Sequence, residues 1–75
     1  MKYYEVYVPI DRFTEFTYSA EEGVDLKEGS VIKVPLQSRS VVGVIKGEVE
    51  EYMGAKEIEE KFFDLPEDIY RLGLW

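Results

Sequence analysis

The chain has 75 residues, with six tyrosines, four phenylalanines, one tryptophan, no cysteine, no histidine and a formal charge of −7. That excludes disulfides and the usual zinc ligands, and it limits the chain to one domain, residues 1–75, whose small core is aromatic and aliphatic. The acidity opposes extended nucleic-acid binding, which calls for a positive field; it leaves capture of a single strand end open, and it also serves solubility.

In chain order, Lys2 to Val8 alternates, with Tyr4, Val6 and Val8 on one face and Tyr3, Glu5 and Tyr7 on the other. Pro9 is expected to end this strand, because it cannot donate to a ladder. Phe13 to Ser19 alternates again, Thr14, Phe16 and Tyr18 opposing Phe13, Glu15 and Thr17. Turns follow at Ser19 to Gly23 and at Lys27-Glu28-Gly29.

Ser30 to Leu36 is the clearest strand, with Ile32, Val34 and Leu36 facing one way and Val31 and Lys33 the other. Gln37 to Ser40 reads as a hairpin loop, and Val41 to Glu50 as a long strand, apolar on both faces near Val41 to Ile45. Gly43 and Gly47 mark a bend or a close backbone approach. Ala55 to Phe63 fits helix by propensity but strand by the alternation of Lys56, Ile58, Glu60 and Phe62, and strand is preferred.

A helix then begins, with Asp64 at or before its N-cap, Pro66 in its first turn, Glu67 and Asp68 at its positive end, and Leu65, Ile69 and Leu72 on one face. No C-cap glycine lies beyond Leu74-Trp75, so the pattern reads as a helix cut off within an excised domain. The whole is all-β: a small OB-like barrel or sandwich of about six strands with a C-terminal helical segment. There is no run of about 20 apolar residues and no apolar signal core, so no membrane partner is expected and a cytoplasmic location fits.

Taken together, several short motifs are similar to one family. These are Val8-Pro9-Ile10, Arg12, Phe16-Thr17-Tyr18, Glu22-Gly23, Gly29, Ile32-Lys33-Val34-Pro35-Leu36-Gln37, Val42-Gly43-Val44-Ile45 and Arg71-Leu72-Gly73-Leu74-Trp75. In this order they resemble the N-terminal 3′-end DNA-binding domain of the primosomal replication-restart helicase PriA (primosomal protein N′).

The resemblance implies a domain of a longer helicase that captures the 3′-hydroxyl of a nascent strand at a stalled fork. It implies neither catalysis nor a cofactor within these residues, since the helicase motor and the cysteine-rich zinc region of that family lie elsewhere. Partners would be the DNA 3′ end and the remaining helicase domains. Two positions depart from the family pattern. Thr17 replaces an aspartate between the two aromatics, and Gln37 replaces a glycine after the Val-Pro-Phe step.

On this resemblance Phe16, Thr17, Tyr18 and Gln37 form the terminal-nucleotide pocket, and Arg39, between Ser38 and Ser40, grips a phosphate. Lys33, with Lys46, extends a local basic patch. Each has a plainer reading. Phe16 and Tyr18 fit the core, Thr17 an ordinary strand position, Arg39 a solubilising hairpin tip, and the lysines edge protection. Tyr3 and Tyr7 form an outward aromatic pair that stacks bases or packs against protein.

A protein-interaction or interdomain module using exposed aromatic strand faces is the competing reading, and self-association through the Trp75 end is compatible with either. Glu57, Glu59, Glu60, Asp64, Glu67 and Asp68 lack a histidine or a converging ligand, so they read as a solvated face and not as a metal or acid–base site.

Overall fold

Strand-forming alternation dominates the folded chain, and the structure, a computed structural model, describes residues 1–10 and 12–73, with side chains at 1–9 and 15–73. The described residues form strands β1 (Lys2–Ile10), β2 (Arg12–Ala20), β3 (Ser30–Leu36), β4 (Arg39–Val49), β5 (Lys56–Glu57) and β6 (Glu60–Asp64), then helix α1 (Glu67–Leu72). The strands make one six-stranded sheet in the order β5-β2-β1-β4-β3-β6, curled into a half-barrel. Leu74 and Trp75 and the side chains of Ile10, Arg12, Phe13 and Thr14, on which sequence expectations rest, lie outside the described residues.

The inner face is apolar because the strand periodicity places Tyr4, Val6, Val8, Tyr18, Ile32, Val34 and Ile45 on it, all buried. Segment 56–64 ties the two sides of the curl. The Ile58 amide donates to the Ser19 carbonyl on β2 at 2.8 Å, and the next amide, of Glu59, donates to the Lys33 carbonyl on β3 at 2.9 Å. One short stretch therefore splits into β5 and β6 and serves both edges. The preference for strand over helix in Ala55 to Phe63 holds, although the simple alternation does not. A register shift between Val31 and Ile32 places Phe62 out of phase and leaves it exposed.

Gly43 supplies the close approach expected of it. A Cβ there would lie 2.6 Å from Val6 Cγ1 and 3.0 Å from the Tyr7 carbonyl oxygen, so β4 can settle on β1 only without a side chain at this point. Gly47 is different, with open space around its Cβ position. Just before it the β1–β4 register skips Lys46, as Glu5 opposes Gly47 and Val6 opposes Ile45. Lys46 is thus the extra residue of a β-bulge, a device that bends the strand.

Several sequence expectations are corrected. Pro9 does not end β1, which continues to Ile10. Beyond Tyr7 the strand pairs with β2 alone, where a missing amide donor on the other side costs no ladder bond. Burial on both faces of β4 is confined to 43–45, for Val42 is exposed and Val41 half-buried. Val31, expected opposite the core, is nevertheless buried beside its cross-strand partner Val44.

Asp64 does not cap the helix. It ends β6, accepts from Ser30 Oγ at 2.5 Å and pairs with Lys61 Nζ at 3.2 Å. Pro66 occupies the N-cap with no side-chain cap bond. Gly73, left-handed at φ 68°, closes the helix with its amide donating to the Tyr70 carbonyl at 3.1 Å, so the helix ends regularly after Leu72. Leu65 and Ile69 are half-buried, whereas Leu72 is exposed. The helix is held through Gly29, whose carbonyl accepts from the Leu65 amide at 3.0 Å and whose bare Cα faces the Tyr70 ring.

Two tests follow from these contacts. Gly43→Ala is expected to lower stability by about 1–3 kcal/mol, as overpacking does, while Gly47→Ala stays within about 0.5 kcal/mol; urea melts compare them. The buried Ser30 hydroxyl, and Lys61 after it, hold the Asp64 carboxyl below its ordinary range. The folded chain therefore binds fewer protons at this group than the unfolded chain, and its stabilisation is lost as pH falls through and below about 3.9. The urea midpoint is expected to drop between pH 6 and pH 3, and to drop less in Asp64→Asn.

Candidate nucleic-acid interface

β5 pairs with β2 only at Tyr18 and Ser19, so the preceding part of β2 has a free edge. A cleft of about 570 Å³ opens there. Along one wall stand Glu15, Phe16, Thr17 and Tyr18, with Glu5 alongside from β1. Pro35, Leu36 and Gln37, at the β3–β4 turn, make a second wall, and Tyr52, Gly54, Ala55 and Lys56 make the third.

Tyr18 joins two of these walls. Its ring is buried at 3% exposure, and its hydroxyl donates to the Pro35 carbonyl at 3.0 Å. Burial also raises the phenol above its ordinary pKa, so it remains a donor. Phe16 is half-buried and packs on the core cluster. Both aromatics therefore serve the core and the cleft together, the inner part of each ring being structural. Thr17, on the opposite face of the strand, is half-buried and still lines the cleft, because the cleft wraps around the free edge.

Gln37 is the non-glycine residue with positive φ among those described, at 57°. It is the first of the two residues between the paired ends Leu36 and Arg39. A left-handed conformation at this point of a two-residue hairpin favours glycine, the residue the related pattern carries there. The backbone keeps the geometry suited to glycine while the long amide reaches the cleft wall.

The structure thus brings together Phe16, Thr17, Tyr18 and Gln37, and it leaves Lys33 and Arg39 outside the lining. Arg39 is exposed, across the turn from Leu36, and makes no ion pair among the described residues. Its expected two hydroxyl neighbours are not both available, since Ser40 Oγ donates to Glu59 Oε1 at 2.7 Å. Lys33 is half-buried on β3, opposite Glu60 of β6.

Lys46 does not extend a basic patch with it. The bulge turns Lys46 toward Glu15 at 2.9 Å and Glu5 at 3.6 Å, and over the Tyr7 ring at 5.7 Å. Tyr7 is accordingly covered by a cation within the chain, and Tyr3 is half-buried.

The two carboxylates that flank Lys46 also line the cleft. Their mutual hydrogen bond raises the Glu5 pKa and lowers that of Glu15, which Lys46 lowers further. Hydrogen bonding to Glu15 raises Lys46 in turn. One end of the cleft is therefore acidic, and among the described lining residues Lys56 supplies its cation.

Sequence reasoning missed Glu5, Glu15, Tyr52 and Lys56. For Tyr52 a signal existed, in a Tyr-Met-Gly step within an otherwise acidic loop, where a large ring has no strand to face. Of the carboxylates read as a solvated face, Glu57, Glu59, Glu60, Glu67 and Asp68 are exposed, and Asp64 is half-buried and engaged as described.

The strain at residue 37 is measurable. Gln37→Gly is expected to leave stability unchanged or raised despite the lost side chain, whereas a β-branched Gln37→Ile lowers it by about 1–2 kcal/mol; thermal melts of the two variants decide it.

Compared with known proteins, the family model of the PriA 3′ DNA-binding domain (3′BD) matches residues 5–74. No curated protein matches the chain.

Proposed function

Since this chain belongs to the PriA 3′ DNA-binding domain family, we propose that it captures the 3′-hydroxyl end of a nascent DNA strand at a stalled fork, as the DNA-reading part of a replication-restart helicase. The observation that carries this reading is the meeting of Phe16, Thr17, Tyr18 and Gln37 in one cleft at the free edge of β2. A cleft of about 570 Å³ is of ordinary small-ligand size. It has room for one terminal nucleotide.

End recognition then follows from sterics. A wall that closes beyond the last sugar accepts a hydroxyl and rejects a phosphate or a further nucleotide. The Thr17 hydroxyl and the Gln37 amide can each donate and accept hydrogen bonds with sugar or base. Arg39 beside the turn, with Lys33 farther along β3, serves upstream phosphates. Such a site needs few phosphate contacts, which reconciles DNA binding with a charge of −7. The reading assigns no catalysis to these residues.

One observation favours a second reading. β6 is an edge of the sheet, and it presents Phe62 and Phe63 at 44% and 56% exposure. An edge of this kind suits docking against protein, including other domains of a helicase.

Fluorescence anisotropy on short single strands ending in a 3′-hydroxyl or a 3′-phosphate separates the two. End capture predicts tighter binding to the hydroxyl end, lost in Thr17→Tyr while thermal stability is kept. Equal or undetectable binding to both ends would leave the docking role.

A further inference from the structure

Three aromatic side chains line the cleft, and they are not equivalent. Tyr18 is 3% exposed with its hydroxyl committed to the Pro35 carbonyl, and Phe16 packs on the core. Neither can offer a whole ring face without unpacking the inner sheet. Tyr52 is 58% exposed. Its backbone is held by a tight turn, in which the Ala55 amide donates to the Tyr52 carbonyl at 3.3 Å and Gly54 takes a φ of 86°. An open ring on an anchored turn at the rim of a cleft is placed to cover a flat ligand at small entropic cost.

Charge sets the polarity of that ligand. Glu5 and Glu15 lie at one part of the lining and would repel a phosphate, while Lys56, four residues after Tyr52, would attract one. A nucleobase is the neutral, flat part of a nucleotide, and it is the part that tolerates the carboxylates. The exocyclic amino groups of adenine, cytosine and guanine can also donate to them.

Resting on the end-capture reading above, we propose that Tyr52 is the stacking platform of this site and takes the face of the terminal base. Stacking on an aromatic is tolerant of sequence, because every base has a π-face. The site would then hold any terminal nucleotide through its base while the walls read the free sugar end.

The test is a cycle of four affinities, measured by anisotropy with single strands carrying a 3′-hydroxyl and either an ordinary or an abasic terminal nucleotide. The wild type and Tyr52→Ala are compared, with Tyr52→Phe as the conservative variant and a thermal melt to confirm the fold. Removing the base is expected to weaken wild-type binding by about 5- to 150-fold. Tyr52→Ala should weaken binding of the ordinary strand by a comparable factor and show little further loss on the abasic one. Tyr52→Phe should behave as the wild type.

If Tyr52→Ala keeps the full wild-type loss on the abasic strand, the base is read elsewhere and the inference fails. A loss in Tyr52→Phe equal to that in Tyr52→Ala would make the hydroxyl, and not the ring face, the contact, and would also overturn it. If the wild type does not distinguish a 3′-hydroxyl from a 3′-phosphate, the end-capture reading itself falls and takes this inference with it.

Discussion

β4 lies against β1 because residue 43 has no side chain. With Val6 Cγ1 and the Tyr7 carbonyl oxygen occupying the space a Cβ would need, any larger residue would force Val6 or the strand backbone to shift. The rest of the half-barrel is arranged around that contact. β4 carries β3 with it through their hairpin, β1 carries β2, and the curl brings the β3–β4 turn opposite the free edge of β2. The cleft is the space left between them.

The bulge at Lys46 acts on the same part of the molecule from the other side. Skipping one residue in the β1–β4 register turns a lysine toward two carboxylates on neighbouring strands, and it covers the Tyr7 ring as it does so. These ion pairs are solvent-accessible, and pairs of that kind contribute little to stability. Their effect is on charge. They commit a cation that a reading of the sequence would place in a basic surface, and they anchor the acidic end of the cleft. A strongly acidic chain with a mostly uncharged cleft wall does not present the positive field that a length of phosphate backbone calls for.

The Ser30–Asp64 hydrogen bond and the split segment 56–64 hold the far side of the curl. Two successive amides donate to two different strands, which two-stranded pairing alone would not require. Here the short β5 and β6 owe their position less to their own propensity than to unsatisfied carbonyls on β2 and β3. Backbone groups at the edges of a curled sheet need partners, and this segment supplies them.

Strand identity was written in the residues themselves. Ser30 to Leu36 alternates so regularly that its limits and its core face follow from side-chain period alone, and the glycine turns at 23 and 29 are local backbone requirements. Family membership was legible for a similar reason, since turn glycines, prolines and aromatics keep their order along the chain. The grouping of Phe16, Thr17, Tyr18 and Gln37 was legible only through that resemblance.

Register, bulges and edges belong to the tertiary structure. No local pattern says that Lys46 or Phe62 will be skipped by its neighbour strand, that Pro9 will lack a second partner, or that Asp64 will be drawn to Ser30 instead of a helix end. Each depends on which strand lies alongside, and a one-residue change of register reverses the face a side chain shows. The sequence by itself determined the strands, the turns and the apolar face, because those follow from near-neighbour geometry. Only the folded sheet decided that Glu5, Glu15, Tyr52 and Lys56 would share a cleft with Thr17, because residues up to 51 positions apart meet there through pairing that curls the sheet as a whole.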